Sequence, residues 1–104
     1  MLRTKSTEKA TQAAIIDYLT LKRHLFWRQN SGAFKDSKGH FYRFASMAGL
    51  PDIFCFKDSV LYGIEVKDIK GVLNKNQKDF ADKFISAGGK YIIARELEDI
   101  VSFL

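Results

Sequence analysis

Residue types that stabilise secreted proteins or anchor membrane proteins are scarce in this sequence. Among 104 residues there is one cysteine, Cys55, so the chain cannot form an internal disulfide, which suits a reducing compartment. Cys55 lies in an apolar run and is interpreted as a packing residue, and His24 and His40 lack zinc-ligand spacing. No apolar stretch has the length of a membrane span or a signal peptide, so we expect a cytoplasmic protein without a membrane partner.

The length and the charge of the chain further restrict the classes of protein to which it could belong. A chain of 104 residues, 46% hydrophobic and 28% charged, predicts one folded domain over residues 1–104. A core of this size is thin, so a subunit interface would add stability. The net charge of +5 favours a polyanionic partner, either nucleic acid or an anionic membrane surface.

The spacing of apolar residues predicts an α/β fold. Residues 31–38 are polar and are interpreted as a loop. The remaining elements follow the order α-β-β-β-β-α-β-α, which predicts a mixed β-sheet flanked by helices. Helices are predicted over about 6–22, 75–87 and 96–104, and strands over 24–30, 39–46, 52–56, 61–67 and 91–94.

The segment 52–67 predicts a β-hairpin that carries charged side chains at its open end. A tight turn at Asp58-Ser59 places Asp52 directly across from Glu65. Strand alternation then puts Lys67 on the same face as Glu65. A register shift of one residue would separate these groups, so their proximity is also a prediction about the turn.

Two adjacent carboxylates repel each other, by about 4 kcal/mol at about 4 Å and an effective dielectric near 20. A divalent cation offsets that repulsion, and Mg²⁺ prefers carboxylate oxygens together with water. Such an ion activates water and polarises phosphoryl oxygens, and a neighbouring lysine stabilises developing charge. This combination suits phosphodiester hydrolysis. The alternative is a solvated charge patch in which Lys67 neutralises Asp52 or Glu65.

Gly49-Leu50-Pro51-Asp52 followed by Glu65-Val66-Lys67 resembles the signature of the PD-(D/E)XK nuclease superfamily. Further features resemble one branch of it, the VRR-NUC family, over about residues 7–104. One segment departs from that family, because its Val-Arg-Arg-like motif appears only as Ile93-Ala94-Arg95. The further features are Glu8 on a leading helix, Arg28-Gln29-Asn30-Ser31-Gly32, Gly71, Gln77, and Tyr91 to Arg95.

The resemblance implies a restriction-endonuclease-like core and a role for each matching residue. Asp52, Glu65 and the backbone carbonyl of Val66 would bind Mg²⁺, although Mn²⁺ also accepts such ligands. Lys67 would position or activate the attacking water. Glu8 would hold waters of the metal, and Gln77 would point from the second helix toward the site. The alternatives are helix-dipole stabilisation for Glu8 and a polar residue near a helix start for Gln77.

Basic residues from several segments are expected to bind DNA phosphates. No helix suited to reading the major groove is evident, so recognition of DNA shape is expected. Small stand-alone members of the family resemble junction-resolving enzymes of phages and mobile elements, so the resemblance implies a phage-encoded enzyme that acts in the host cytoplasm. The candidate DNA-binding residues are Arg28, Lys35, Lys38, Arg43, Lys70 and Lys75.

The resulting hypothesis is a homodimeric, structure-selective, Mg²⁺-dependent DNA endonuclease that acts on branched DNA such as four-way junctions. A two-fold dimer would supply two active sites with the symmetry of such a junction. Two alternatives are a catalytically silent nucleic-acid-binding module and an accessory subunit of a replication or repair complex. A restriction-type enzyme with sequence specificity is a further alternative.

Overall fold

The computed structural model describes residues 7–29, 33–43 and 47–104, and of 33–35 and 41–43 the backbone alone. None of the helices in these ranges is long and apolar enough to cross a membrane. The helices are α1 (Glu8–Leu21), α2 (Lys75–Ser86) and α3 (Glu98–Val101). The strands are β1 (Leu25–Arg28), β2 (Ala33–Lys35), β3 (Phe41–Arg43), β4 (Ile53–Lys57), β5 (Val60–Val66) and β6 (Lys90–Ala94).

Four of the strands form a mixed sheet in the order β1-β4-β5-β6. β1, β4 and β5 pair antiparallel, whereas β5 and β6 pair parallel, and α2 lies between them in the chain. Side chains of α1 and α3 pack on one face of the sheet, and α2 covers part of the other. The predicted α/β class with a mixed sheet and flanking helices is confirmed.

The interpretation of residues 31–38 as a loop is wrong in one respect. β2 lies inside this segment and pairs with β3 in a separate two-stranded sheet, so five strands precede α2 instead of four. The Asp36 side chain closes this hairpin by accepting hydrogen bonds from the backbone N–H groups of Lys38 and His40, both at 2.9 Å. A three-residue strand is too short to show the alternation by which strands are recognised. Predicted residues 30–32 and 44–46 lie outside the described part of the chain.

The β4–β5 hairpin has the predicted register. Asp58 and Ser59 both adopt left-handed backbone conformations, with φ of 51° and 68°, as a two-residue turn requires. Phe56 therefore lies opposite Leu61, and Ile53 lies opposite Ile64. This register brings the start of β4 and the end of β5 together at the same edge of the sheet.

The face of the sheet toward α1 and α3 forms the main core. Ile15 and Leu19 of α1 pack with Ile53 and Ile64 of the hairpin, and all four side chains are fully buried. Each such side chain contributes about 1.5–3 kcal/mol through burial. Cys55 is buried in the same cluster, which is the packing position that the sequence predicts.

The opposite face packs aromatic rings beneath α2. Phe84 stacks on Phe80 at 5.4 Å between ring centroids and lies 5.9 Å from Phe54 of β4. Trp27 of β1 extends this cluster, 5.5 Å from Phe54. Toward the open end of the β4–β5 hairpin, the same face changes from aromatic to charged, and there the candidate site lies.

Candidate active site

Asp52 immediately precedes β4 and is fixed by two backbone contacts. Its carbonyl accepts a hydrogen bond from the N–H of Gln29 at 2.8 Å, which extends the pairing with β1. Its Oδ2 accepts from the N–H of Val66 at 2.8 Å, where the next rung of the ladder would otherwise form. The Asp52 side chain thus reaches across the hairpin to β5, beside Glu65.

Glu65 is a buried carboxylate, with 4% of its surface exposed. Its Oε1 accepts a hydrogen bond from Nε2 of Gln77 at 3.1 Å and lies 3.8 Å from Nζ of Lys67. Its Oε2 is buried without a hydrogen-bond partner among the described residues. The structure therefore brings together Asp52, Glu65, Lys67 and Gln77, and leaves one carboxylate oxygen unsatisfied.

The electrostatics of the pair favour a bound proton or a cation. Burial raises the pKa of Glu65 to about 8, and the adjacent Asp52 charge adds to the shift. Burial also raises the pKa of Asp52, although the hydrogen bond from the Val66 N–H acts in the opposite direction. Lys67 lowers the pKa of both carboxyls without offsetting the burial. Two carboxylates held together out of water share a proton unless a cation replaces it.

Gln77 has two structural roles at once. Its side-chain oxygen accepts from the N–H of Asn74, whose own side chain accepts from the N–H of Gln77, so the two residues form a capping box at the start of α2. Its amide nitrogen is then directed at Glu65. Gln77 therefore caps α2 and also contacts Glu65, and its role at the site stays a prediction.

Gly49 sets the distance between the Asp52 segment and the start of α2. Its φ is +80°, and a Cβ added there would lie 2.2 Å from the backbone oxygen of Asn76. Only glycine permits this approach of two backbones. The contact holds the first turn of α2, with Gln77, against the segment that ends in Asp52.

Glu8 lies at the rim of the site, as the first residue of α1. Its side chain is exposed, and its Oε1 accepts a hydrogen bond from the N–H of Asp68 at 3.3 Å. Its charge adds to the rise in the pKa of both Asp52 and Glu65. Glu8 also occupies the first turn of the helix, where a carboxylate stabilises the helix dipole, so both interpretations of this residue remain compatible with its position.

Arg95, to which the sequence assigned no role of its own, fixes the loop after Lys67. Its Nη1 donates hydrogen bonds to the carbonyl of Asp68 and, at 2.7 Å, to the carbonyl of Gly71. Charge-assisted hydrogen bonds of this kind are stronger than neutral ones. The signal in the sequence was a single arginine at the end of the last strand, but its targets depend on the pairing of β5 with β6.

Tyr91 belongs to the late strand that the sequence identified, but the sequence assigned it no role at the site. Its hydroxyl is buried and has no hydrogen-bond partner in the described part of the protein. Burial raises the pKa of Tyr91, and the charges of Glu65 and Asp52 raise it further. In the sequence, Tyr91 is indistinguishable from an ordinary strand aromatic.

The residues present fit a divalent cation with oxygen ligands. Within the described ranges no three His, Cys, Asp or Glu side chains are grouped to enclose a metal ion by themselves. Asp52 and Glu65 supply two carboxylates, and Oε2 of Glu65 is an acceptor that lacks a partner. The N–H and C=O of a strand residue point to the same neighbouring strand, so the Val66 carbonyl points to the side of Asp52. Mg²⁺ accepts such a partial set because it retains water.

The candidate DNA-binding residues divide into three groups. Lys70 and Lys75 are exposed in the loop after Lys67 and at the start of α2, and Lys38 is exposed in the turn between β2 and β3. Arg28 is exposed, but strand alternation places it on the face of the sheet opposite Glu65. The side chains of Lys35 and Arg43 lie outside the described part of the chain.

Comparisons with known proteins bear on the fold. No model of a known protein family and no curated protein matches this sequence. A solved structure described as a VRR-NUC domain superposes with a TM-score of 0.66 at 14% sequence identity. The match covers 93% of this chain and 94% of that chain. The fold implied by the motifs of the 52–67 hairpin is thus confirmed, and the chain has the fold of a VRR-NUC domain.

Proposed function

We propose that this protein is a metal-dependent endonuclease of the VRR-NUC family that hydrolyses phosphodiester bonds in DNA. The observation that carries the proposal is the pair formed by half-buried Asp52 and buried Glu65 beside Lys67, with Oε2 of Glu65 unsatisfied. A carboxyl group with a purely structural role would have both oxygens hydrogen-bonded or exposed, since a buried polar atom without a partner is costly. The likeness to a solved VRR-NUC domain supports the same activity, because the name of that domain denotes a nuclease.

Each residue of the site has a role in this chemistry. A divalent cation, Mg²⁺ or Mn²⁺, would supply a Lewis acid that polarises the scissile phosphate and favours deprotonation of the attacking water. Asp52, Glu65 and the Val66 carbonyl would hold that cation. Lys67, with its Nζ 3.8 Å from Glu65, would orient the attacking water and stabilise negative charge on the phosphate.

Two further residues would organise the surroundings of the cation. Gln77 restrains the rotation of Glu65 through its 3.1 Å hydrogen bond, so the carboxylate is held for binding. Glu8 would accept hydrogen bonds from waters around the cation, as it accepts one from the Asp68 N–H.

For the substrate, we propose branched DNA such as a four-way junction, bound by shape. The exposed basic residues Lys38, Lys70 and Lys75 lie in the β2–β3 turn, in the loop after Lys67 and at the start of α2, and they form no single reading helix. Contacts of this kind bind phosphates without reading sequence. The contribution of these side chains to DNA affinity should therefore decrease as the salt concentration rises.

A homodimer would present two such sites to one junction. The edge strand β1 and its neighbour expose an apolar strip, with 66% of Leu25, 40% of Trp27 and 40% of Phe56 accessible to solvent. Covering that strip would supplement a thin core. Sedimentation at micromolar concentration should show a dimer, and a strict monomer would contradict this part of the proposal.

A cleavage assay tests the activity. Wild-type protein is incubated with Mg²⁺ and a panel of junction, flap, stem-loop and linear DNAs, alongside Asp52→Asn and the control Asp82→Asn, which removes an exposed charge from α2. We expect Asp52→Asn and chelator each to lower cleavage at least about 100-fold, as loss of a charge-stabilising group does. Asp82→Asn should cleave like wild type. Binding without cleavage under every metal condition would instead identify a silent nucleic-acid-binding module.

A further inference from the structure

Two buried side-chain oxygens in the described part of the protein lack hydrogen-bond partners. They are Oε2 of Glu65 and the hydroxyl of Tyr91. Folded proteins leave few buried polar atoms unpaired, because an unpaired atom loses its hydrogen bonds to water without replacement. Two such atoms on one face of a sheet could be satisfied by a bound ion, by a water molecule or by each other.

Strand pairing places the two residues on the same face. Tyr91 of β6 lies opposite Gly63 of β5, and Glu65 follows two residues later on the same strand. The space above Gly63 is filled by three rings. A Cβ added there would lie 3.1 Å from Cγ of Pro51, 3.3 Å from Cε2 of Phe84 and 3.5 Å from Cδ2 of Tyr91. The Tyr91 ring is thus packed close to the segment that leads into Asp52.

The chemistry of the two oxygens is complementary. The hydroxyl of a tyrosine can donate one hydrogen bond. The Oε2 atom of Glu65 is an acceptor. Because the Tyr91 ring is packed, its hydroxyl oxygen is held in one place and cannot move toward a different hydrogen-bond partner.

We propose that Tyr91 is a positioning residue of the cation site, whose hydroxyl donates a hydrogen bond to Glu65, directly or through one ordered water, when a divalent cation occupies the carboxylate pair. This inference rests on the proposed function. Removal of a group that hydrogen-bonds to a metal ligand without contacting the metal typically weakens metal affinity by about 10–100-fold.

The test is Mn²⁺ titration of Tyr91→Phe, followed by the electron paramagnetic resonance signal of the free ion. The substitution removes only the hydroxyl, and we expect the Kd for Mn²⁺ to rise about tenfold. The metal-free variant should unfold at the same or a higher urea concentration than wild type, because an unpaired buried group is gone. A purely structural hydroxyl would show the opposite pattern, with lower stability and unchanged affinity.

Two controls separate the possible outcomes. Tyr62→Phe removes a hydroxyl from the opposite face of β5 and should leave the Kd for Mn²⁺ unchanged. Asp52→Asn should abolish the titration, which shows that the signal reports this site. A Tyr91→Phe affinity within twofold of wild type would overturn the role of Tyr91 alone. Absence of Mn²⁺ binding by wild type would overturn the proposed function and, with it, this inference.

A measurement on wild type covers the case in which Tyr91→Phe does not fold. In protein labelled with ¹³C-tyrosine, addition of Mg²⁺ should shift the NMR resonance of the Tyr91 ring carbon that carries the hydroxyl. The corresponding resonance of Tyr62 should not move. Equal shifts for both residues, or none for Tyr91, would contradict the proposal.

Discussion

The two faces of the four-stranded sheet bury different kinds of side chain. Toward α1 and α3, strand residues such as Ile53 and Ile64 are apolar and fully buried. Toward α2, the sheet buries Phe54, but also the carboxylate of Glu65 and the hydroxyl of Tyr91, both with an unpaired oxygen. The first face follows the rules for a stable core, and the second breaks them at one end.

This difference separates folding from function. A sequence selected for stability alone would satisfy or remove such polar groups, so local violations of packing rules are expected at functional sites. Here the violation coincides with Lys67 and Gln77, which both contact Glu65. Burial of apolar side chains on the face toward α1 and α3 therefore has to offset the destabilising effect of the polar groups in the site.

Matched truncations on the two faces give the largest expected difference. Ile64→Ala should lower the free energy of unfolding by about 2–5 kcal/mol, because it leaves a cavity in the main core. Ile93→Ala on the other face should cost less than about 1 kcal/mol, since 37% of Ile93 is exposed. Urea denaturation measures both, and equal losses would contradict the assignment of stability to the α1 face.

The fold and half of the site were predictable, because they depend on local signals. A tight turn at Asp58-Ser59 fixes the register of the hairpin, and that register brings Asp52 to Glu65. No role was predicted for Tyr91 or Arg95, because Tyr91 lies beside β5 and Arg95 donates to the loop after β5. Both placements depend on a parallel pairing of β5 with β6 that no local pattern specifies.

The charged face should make the stability of the metal-free protein depend on pH. The pKa of Glu65 rises from 4.5 to about 8 on folding, so the folded state binds a proton that the unfolded state releases. Stability should therefore fall by a few kcal/mol as pH increases from about 4.5 to about 8, and change little above that. The raised pKa of Asp52 acts in the same direction.

The control for this pH dependence is Glu65→Gln, which keeps the shape of the side chain and removes its titration. Its free energy of unfolding, measured by urea denaturation across the same range, should vary less with pH than that of wild type. Identical pH profiles would show that Glu65 does not hold the proton.

A smaller difference is expected between two glycines with left-handed backbones. Gly88→Ala meets no atom within 4 Å and should cost only the conformational strain of about 1–2 kcal/mol. Gly49→Ala meets the same strain and also the backbone of Asn76, so it should destabilise further and reduce cleavage by displacing Gln77. Urea denaturation and the junction-cleavage assay compare the two, and equal effects would show that the Gly49 contact does not hold the site.

The central claim is that Asp52 and Glu65 hold a divalent cation, and its most direct test is the effect of Mn²⁺ on unfolding at pH 8. For wild type, Mn²⁺ at about 100 times its Kd should raise the free energy of unfolding by about 2.7 kcal/mol. Neither Asp52→Asn nor Glu65→Gln should gain measurably from the same addition. Stabilisation of Asp52→Asn equal to that of wild type, or none of wild type, would contradict the account.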